Sequence, residues 1–218
     1  MVQQPALVVA AGAPAYAGRA MGDGNRNLAT YADLMLLPEG VHAEVIHGVV
    51  YTYPSGLPEH GRIQRSLGNF LGGPFDDDDG HGGPGGWWLI PEIDVRFGTH
   101  MIVRPDLSGW RRERLESPWG IRPIDVPPDW ICEVVSPSNR RRDRIDKSRI
   151  YLAGGVEHYW LVDPEERTLE AYSRHDGYWL QVGVYEDSCA AARVPPFAAI
   201  ELPVARLFPP RSPDPAEG

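Results

Sequence analysis

The segment that most constrains the fold is an apolar run broken by a single carboxylate. Residues 130–135 read Trp-Ile-Cys-Glu-Val-Val, so both faces of an extended strand would be apolar except at Glu133. A strand of this kind lies in a sheet that is covered on both faces. Burial of Glu133 is unfavourable unless its carboxyl group is protonated, ion-paired or bound to a metal. The position therefore indicates either a salt-bridged or protonated core glutamate, or a metal ligand.

The composition is that of a soluble globular protein with one domain. Of the 218 residues, 42% are hydrophobic and 23% are charged, enough for a substantial core. We assign the domain to residues 28–208, between an Ala/Gly-rich leader (1–27) and a Pro/Ser/Gly-rich tail (209–218), both predicted to be disordered. No run approaches the ~20 apolar residues that cross a bilayer. The isolated Cys132 and Cys189 favour a reducing, cytoplasmic location.

Hydrophobic periodicity and turn residues predict the order of helices and strands. The predicted helices span residues 31–37, 58–71 and 143–153. Strands are predicted as a hairpin over residues 43–53, and over residues 87–97, 100–107, 130–135, 158–162, 168–173 and 178–184. The chain is therefore expected to be mixed in helix and strand and to end in a β-segment.

Two Pro-Asp pairs compete as the partner of Glu133 in a metal site. Asp129 and Glu133 lie four residues apart on one extended segment, which separates their Cα atoms by roughly 13 Å. Asp106 ends a different strand, and neighbouring strands lie about 4.8 Å apart, so its carboxylate can approach Glu133 laterally. Asp106 is therefore the better candidate to share an ion with Glu133.

Lys147 is the candidate cation of the site. Asp143, Lys147 and Tyr151 follow one another at intervals of four, so they lie along one side of the predicted helix. One interpretation is an Asp143–Lys147 surface pair worth a few tenths of a kcal/mol. The other is an ammonium group that orients an attacking water and stabilises charge on a phosphorane.

Several motifs extend this pattern over residues 31–207. They are Glu44 before a hairpin glycine, Arg-Pro-Asp-Leu-Ser-Gly-Trp-Arg-Arg-Glu-Arg over 104–114, Pro-Asp-Trp-Ile-Cys-Glu-Val-Val-Ser-Pro-Ser over 128–138, the spaced residues Asp143, Lys147 and Tyr151, and Tyr-Trp-Leu-Val-Asp-Pro over 159–164. With these motifs the chain resembles the PD-(D/E)XK nuclease superfamily, and within it the Uma-two family of restriction endonucleases.

The resemblance implies a fold and a metal site. The expected fold is α/β (α+β), with a restriction-endonuclease-like mixed β-sheet flanked by helices and an added C-terminal antiparallel strand segment. The expected cofactor is Mg²⁺, with Mn²⁺ as a substitute, held by Asp106, Glu133 and a strand carbonyl near Val134. All-oxygen ligands that leave room for water suit Mg²⁺.

The chain departs from the superfamily at the lysine. The superfamily pattern places a lysine two residues after the glutamate, where this chain has Val135. The resemblance implies that the lysine has moved to the following helix, where Lys147 stands. It also implies that Glu44 is a third acid near the metal, although Glu44 could instead anchor the hairpin.

Five basic side chains are the predicted nucleic-acid contacts. The net charge of −9 argues against a protein that coats nucleic acid, but a local basic patch would still reach DNA. Arg111, Arg112, Arg141 and Arg142 flank the proposed acids and are expected to form a phosphate-contacting rim, with solubility and surface pairing as the alternative. His60 is either a surface or helix-capping residue, or a DNA contact or general base.

These observations predict a cytoplasmic, Mg²⁺-dependent DNA endonuclease, which would act as a homodimer to cut two strands. One alternative is a non-catalytic module that binds nucleic acid or protein and retains the nuclease fold. A two-carboxylate glycosidase is a third class, but it gives no role to Lys147.

Overall fold

The computed structural model of the protein describes residues 9–11, 28–77, 82–137 and 140–211. Its strands are β1 Val9–Ala11, β2 His42–Ile46, β3 Val49–Tyr53, β4 Trp87–Pro91, β5 Val95–Gly98, β6 Met101–Val103, β7 Leu107–Arg111, β8 Trp130–Val134, β9 His158–Asp163, β10 Thr168–His175 and β11 Tyr178–Glu186. Apart from β1, the predicted leader lies outside the described residues, as does the predicted tail from residue 212. Within the described part, no helix is long and apolar enough to cross a membrane.

Among the described residues, the helices are α1 Tyr31–Leu34, α2 Pro58–Leu71 and α3 Ser148–Ala153, with π-helical segments Gly72–Asp76 and Arg142–Lys147 and a 3₁₀ turn Val204–Arg206. Of these, α2 is the longest, with 14 residues. Proline at the first position of α2 starts that helix without losing a hydrogen bond. The predicted helix over 143–153 corresponds to the second π-helical segment, Arg142–Lys147, and α3 taken together. This second segment is called the π-helical segment below.

The strands form two sheets. The larger has the order β11-β10-β9-β8-β7-β4, and the smaller has the order β1-β3-β2-β6-β5. In the larger sheet β8 and β9 are parallel, whereas every other neighbouring pair is antiparallel, so the sheet is mixed as expected. Strands β9, β10 and β11 form the antiparallel C-terminal segment. The predicted α+β class is therefore confirmed.

The strands predicted over 87–97 and 100–107 are wrong in their extent. The first divides into β4, which pairs with β7, and β5, which pairs with β6 in the other sheet. The chain turns at Glu92, whose φ is 48°, a left-handed conformation that interrupts a strand. The second contains β6 and only the first residue of β7, with a break at Pro105, which has no N–H to donate to a sheet. Residues 108–111 of β7 were not predicted as strand. Asp106 therefore lies where the chain passes from one sheet to the other.

The strand that carries Glu133 is covered on both faces. Trp130, Cys132 and Val134 pack in a cluster with α2 and with residues 192–208, which follow β11. Ile131 and Val135 pack on the opposite side, with residues of α3 and β9. Glu133 alternates with the first set and so points to the same side as the second, toward α3.

Candidate active site

A cleft of about 800 Å³ lies beside the junction of the two sheets. Its walls come from β2, the loop and first turns leading into α2, the end of β8 and the π-helical segment. The acidic and basic side chains that line it are His42, Glu44, His60, Glu92, Arg104, Asp106, Glu133, Asp143 and Lys147. The predicted Asp106, Glu133, Lys147 and Glu44 thus share one cleft.

Asp106 and Glu133 are brought together by strand pairing. In the β7–β8 ladder, Leu107 lies opposite Cys132, and continuing this register places Asp106 opposite Glu133. Asp106 Oδ2 accepts a hydrogen bond of 2.7 Å from the Val134 N–H. Asp129, at the other end of β8, is instead bound by Arg114 at 2.7 Å. The geometry thus favours Asp106 over Asp129 as the neighbour of Glu133.

Lys147 is the centre of a buried ionic cluster. Its Nζ lies 2.8 Å from Glu133 Oε1, 2.9 Å from Glu44 Oε1 and 3.8 Å from Asp143 Oδ1. Lys147 and Asp143 are 5% and 4% exposed, so the alternative of a surface pair is wrong. Ile150 and Tyr151 of α3 pack in one cluster with Ile46 of β2 and Ile131 of β8, and this packing carries the preceding turn with Lys147 into the interior.

Two tyrosines complete the cluster. Tyr151 donates a hydrogen bond to Glu133 Oε1, and Tyr53 donates one to Glu44 Oε2. The backbone N–H of Arg104 also donates to Glu44 Oε1, at 2.8 Å. Sequence reasoning missed Tyr53, although the tight turn between β2 and β3 sets their register and makes Tyr53 a diagonal neighbour of Glu44.

Burial and charge shift the pKa values in opposite directions. Burial raises the pKa of the Glu133 carboxyl well above its ordinary value, and Lys147 opposes this effect. Burial also raises the pKa of Asp143 to about 7. Burial alone would lower the pKa of Lys147, but Glu133 and Glu44 outweigh it and hold that pKa well above its ordinary value. The lysine is therefore charged, and the cluster has more acid groups than it has cations to neutralise them.

His60 contacts Asp106 instead of lying on the surface. His60 Nε2 is 2.8 Å from Asp106 Oδ1, and Gln64 Nε2 is 3.2 Å from the same oxygen. The interpretation of His60 as a surface or capping residue is therefore wrong. Burial would lower the pKa of His60, but the hydrogen bond to Asp106 and the nearby acids Asp106, Glu92 and Asp143 together outweigh burial and raise that pKa. Gln64 was missed, although it follows His60 by one helical turn.

The predicted basic rim is only partly near the cleft. Arg111 and Arg112 lie five and six residues beyond Asp106, and extended chain of that length spans on the order of 16–20 Å. Arg111 rests over the Trp87 ring at 4.8 Å and Arg112 over the Trp88 ring at 3.9 Å. The extended β7 thus places Arg111, its last residue, and Arg112 at the opposite end of the strand from Asp106 and Glu133.

Arg142, by contrast, lies next to the ionic cluster. Its guanidinium carbon is 4.5 Å from the centre of the Tyr51 ring and 5.0 Å from that of Tyr53. Tyr53 is the residue that donates to Glu44. Arg141 is exposed on the same segment.

The oxygen atoms at the cleft fit a hard divalent cation. The Val134 N–H donates to Asp106, and the N–H and C=O of one extended residue point to the same side of the strand, so the Val134 carbonyl also points to the side of β8 on which Asp106 lies. Among the described residues, no set of three His, Cys, Asp or Glu side chains is arranged to hold a metal. Two carboxylates and a carbonyl still suit Mg²⁺, which keeps several waters.

The fold is shared with a solved structure. A protein from Anabaena variabilis ATCC 29413, described as "a putative nuclease belonging to DUF820", superposes with a TM-score of 0.65 at 23% sequence identity. The match covers 82% of this chain and 96% of that one. A search of curated proteins finds no match.

The sequence itself defines the family. Residues 28–205 match the model of the Uma2 family, which is described as "Putative restriction endonuclease". The match spans more than half of the chain, so the chain belongs to the Uma2 family, as its motifs predict.

Proposed function

We propose that the protein is a Mg²⁺-dependent endonuclease that hydrolyses phosphodiester bonds in DNA. The observation that carries the proposal is the convergence of Asp106, Glu133 and Lys147 in one cleft, from three segments that are separate in the sequence. Membership of a family described as "Putative restriction endonuclease" supports the same class of reaction.

The proposal assigns a role to Asp106, Glu133, Val134 and Lys147. Asp106, Glu133 and the Val134 carbonyl would hold the cation, which when bound lowers the pKa of a water and offsets phosphate charge. Lys147 holds its ammonium 2.8 Å from Glu133, where it would orient the attacking water and stabilise charge on the phosphorane.

Glu44 acts on the lysine in this proposal. It pairs with Lys147 at 2.9 Å and is itself held by Tyr53 and by the Arg104 N–H. These contacts would keep the ammonium group of Lys147 pointing into the cleft. They would also keep Glu44, as a third acid, close to the bound metal ion.

The direct test is cleavage of supercoiled plasmid DNA by the purified protein. We expect nicked or linear product with Mg²⁺ or Mn²⁺ and none with EDTA. Linear product at early times would support paired active sites in a homodimer, and accumulation of nicked circles would support independent cuts. Cleavage of RNA but not DNA would reject the proposed substrate. An unreactive protein that still binds DNA would favour the non-catalytic alternative.

The position of Arg142 predicts a change in the salt dependence of DNA binding. Each phosphate contact contributes roughly one unit to the slope of log K against log salt. Replacing both Arg141 and Arg142 by alanine should therefore reduce the magnitude of this negative slope by about 1–2. Fluorescence anisotropy measures DNA binding, with EDTA present to prevent cleavage.

Arg149→Ala serves as the matched control, because Arg149 is exposed on α3. It should leave the slope unchanged. An equal slope in wild type and in the double variant would show that this segment does not contact the DNA backbone.

A further inference from the structure

Asp106 is held through both oxygens of its carboxylate. The Val134 N–H binds Oδ2 at 2.7 Å, while His60 Nε2 at 2.8 Å and Gln64 Nε2 at 3.2 Å bind Oδ1. Asp106 lies outside the strands, directly after a proline. Its orientation therefore depends on these donors rather than on a regular ladder of backbone hydrogen bonds.

The two side-chain donors stand on a helix that is anchored in the core. His60 and Gln64 are four residues apart and lie on one face of α2. Ile63, Leu67 and Leu71 on the same helix are 0%, 0% and 1% exposed, in the cluster that covers β8. The helix cannot shift without disturbing that cluster, so the donors are held in place.

The His60 ring is also confined from the loop side. A Cβ at Gly56 would lie 3.1 Å from His60 Cγ, closer than ordinary contact allows. Because Asp106 is an acceptor, Nε2 of the ring carries the hydrogen. Gln64 Nε2 bridges to a second acid as well, Glu92 Oε1 at 3.1 Å. The donors thus approach Asp106 from a fixed direction.

We propose that His60 and Gln64 are positioning residues that orient the Asp106 carboxylate for a divalent cation. This inference rests on the proposed function, because it requires Asp106 to be a metal ligand. Hydrogen-bond partners of metal ligands typically account for 10–100-fold in metal affinity. His60 and Gln64 would act through Asp106, without contact to the cation or the DNA.

Mn²⁺ binding to the full chain, measured by isothermal titration calorimetry, tests the proposal independently of cleavage. His60→Phe and Gln64→Leu should each raise the Kd for Mn²⁺ by about tenfold or more. His60→Gln keeps an N–H donor and should recover most of the affinity. Gly56→Ala pushes on the ring without removing any polar group and should weaken binding too. Gln181→Leu, on β11, is the control and should bind as wild type does.

The outcomes separate this inference from the proposed function. If wild type binds Mn²⁺ and Asp106→Ala does not, unchanged binding by His60→Phe and Gln64→Leu would overturn the positioning role alone. If wild type itself fails to bind Mn²⁺, or Asp106→Ala binds equally well, both ideas are overturned. A fall in Tm without a change in Kd would indicate a purely structural role and would also reject the inference.

Discussion

Replacing Glu133 with glutamine should lower the rate of DNA cleavage by about three orders of magnitude. A bound metal contributes several kcal/mol to transition-state stabilisation, and each 1.4 kcal/mol corresponds to about tenfold in rate. Glutamine retains an oxygen that can accept from Lys147 and Tyr151, so the fold should survive the change. The loss should appear in single-turnover cleavage with Mg²⁺ and in a weaker affinity for Mn²⁺.

The second Pro-Asp pair of the chain offers the matched control. Like Asp106, Asp129 follows a proline. Asp129 is buried, and its carboxylate accepts hydrogen bonds from the Arg114 side chain and from the Arg111 N–H. Asp129→Asn should therefore cleave DNA at close to the wild-type rate once its stability has been checked. Cleavage by Glu133→Gln at the wild-type rate would contradict the assignment of Glu133 as a ligand.

Replacing Lys147 with methionine should reduce both activity and stability. Loss of one preorganised charge at a reacting centre lowers rates by about 10²–10³-fold. Removing one partner of a buried pair destabilises a protein by about 3–5 kcal/mol, because the other charge is left without compensation. Here Glu133 and Glu44 would both lose the cation that lies within 2.9 Å of them.

The stability deficit of Lys147→Met should also depend on pH. Burial raises the pKa of Glu133 and Lys147 opposes it, so the variant should raise that pKa further. A carboxyl group whose pKa is raised on folding binds a proton more tightly in the folded state, and the stability it contributes is lost as pH rises. Asp143 has a pKa of about 7 that Lys147 likewise lowers, so the deficit should grow between about pH 6 and pH 8, where the wild-type acid loses its proton and the variant still holds it.

Urea unfolding of the metal-free protein in EDTA, at both ends of this pH range, measures the effect. Lys147→Arg is the comparison, because it keeps the positive charge while changing the geometry of its donors. It should be more stable than Lys147→Met and still cleave slowly. A deficit of Lys147→Met that does not change with pH would show that neither Glu133 nor Asp143 responds to this lysine.

Much of the candidate site follows from local patterns. Alternation along β8 predicts that Glu133 is buried, and the spacing of four places Lys147 and Tyr151 on one helix face. The tight turn after β2 sets a register from which the contact between Glu44 and Tyr53 could have been read. These features are local because each depends only on the geometry of one strand, helix or hairpin.

Other features depend on which distant segments meet. Arg111 and Arg112 follow Asp106 closely in sequence, but β7 is extended and takes them to the opposite end of the sheet. His60 precedes Asp106 by 46 residues and contacts it because α2 packs over β8. No periodicity within either segment encodes such a contact, since it requires the core to form first.

By itself, the sequence determined the family, the class of fold and the three residues on which the proposed chemistry depends. The tertiary structure alone decided how the acids are arranged. It interrupted the predicted strands at Glu92 and Pro105 and paired a strand over residues 107–111 with β8, and so placed Asp106 beside Glu133. It also buried Lys147, which the helix pattern equally allowed on the surface. The physical reason is that periodicity specifies the face of an element, whereas the partner of that face is chosen by long-range packing.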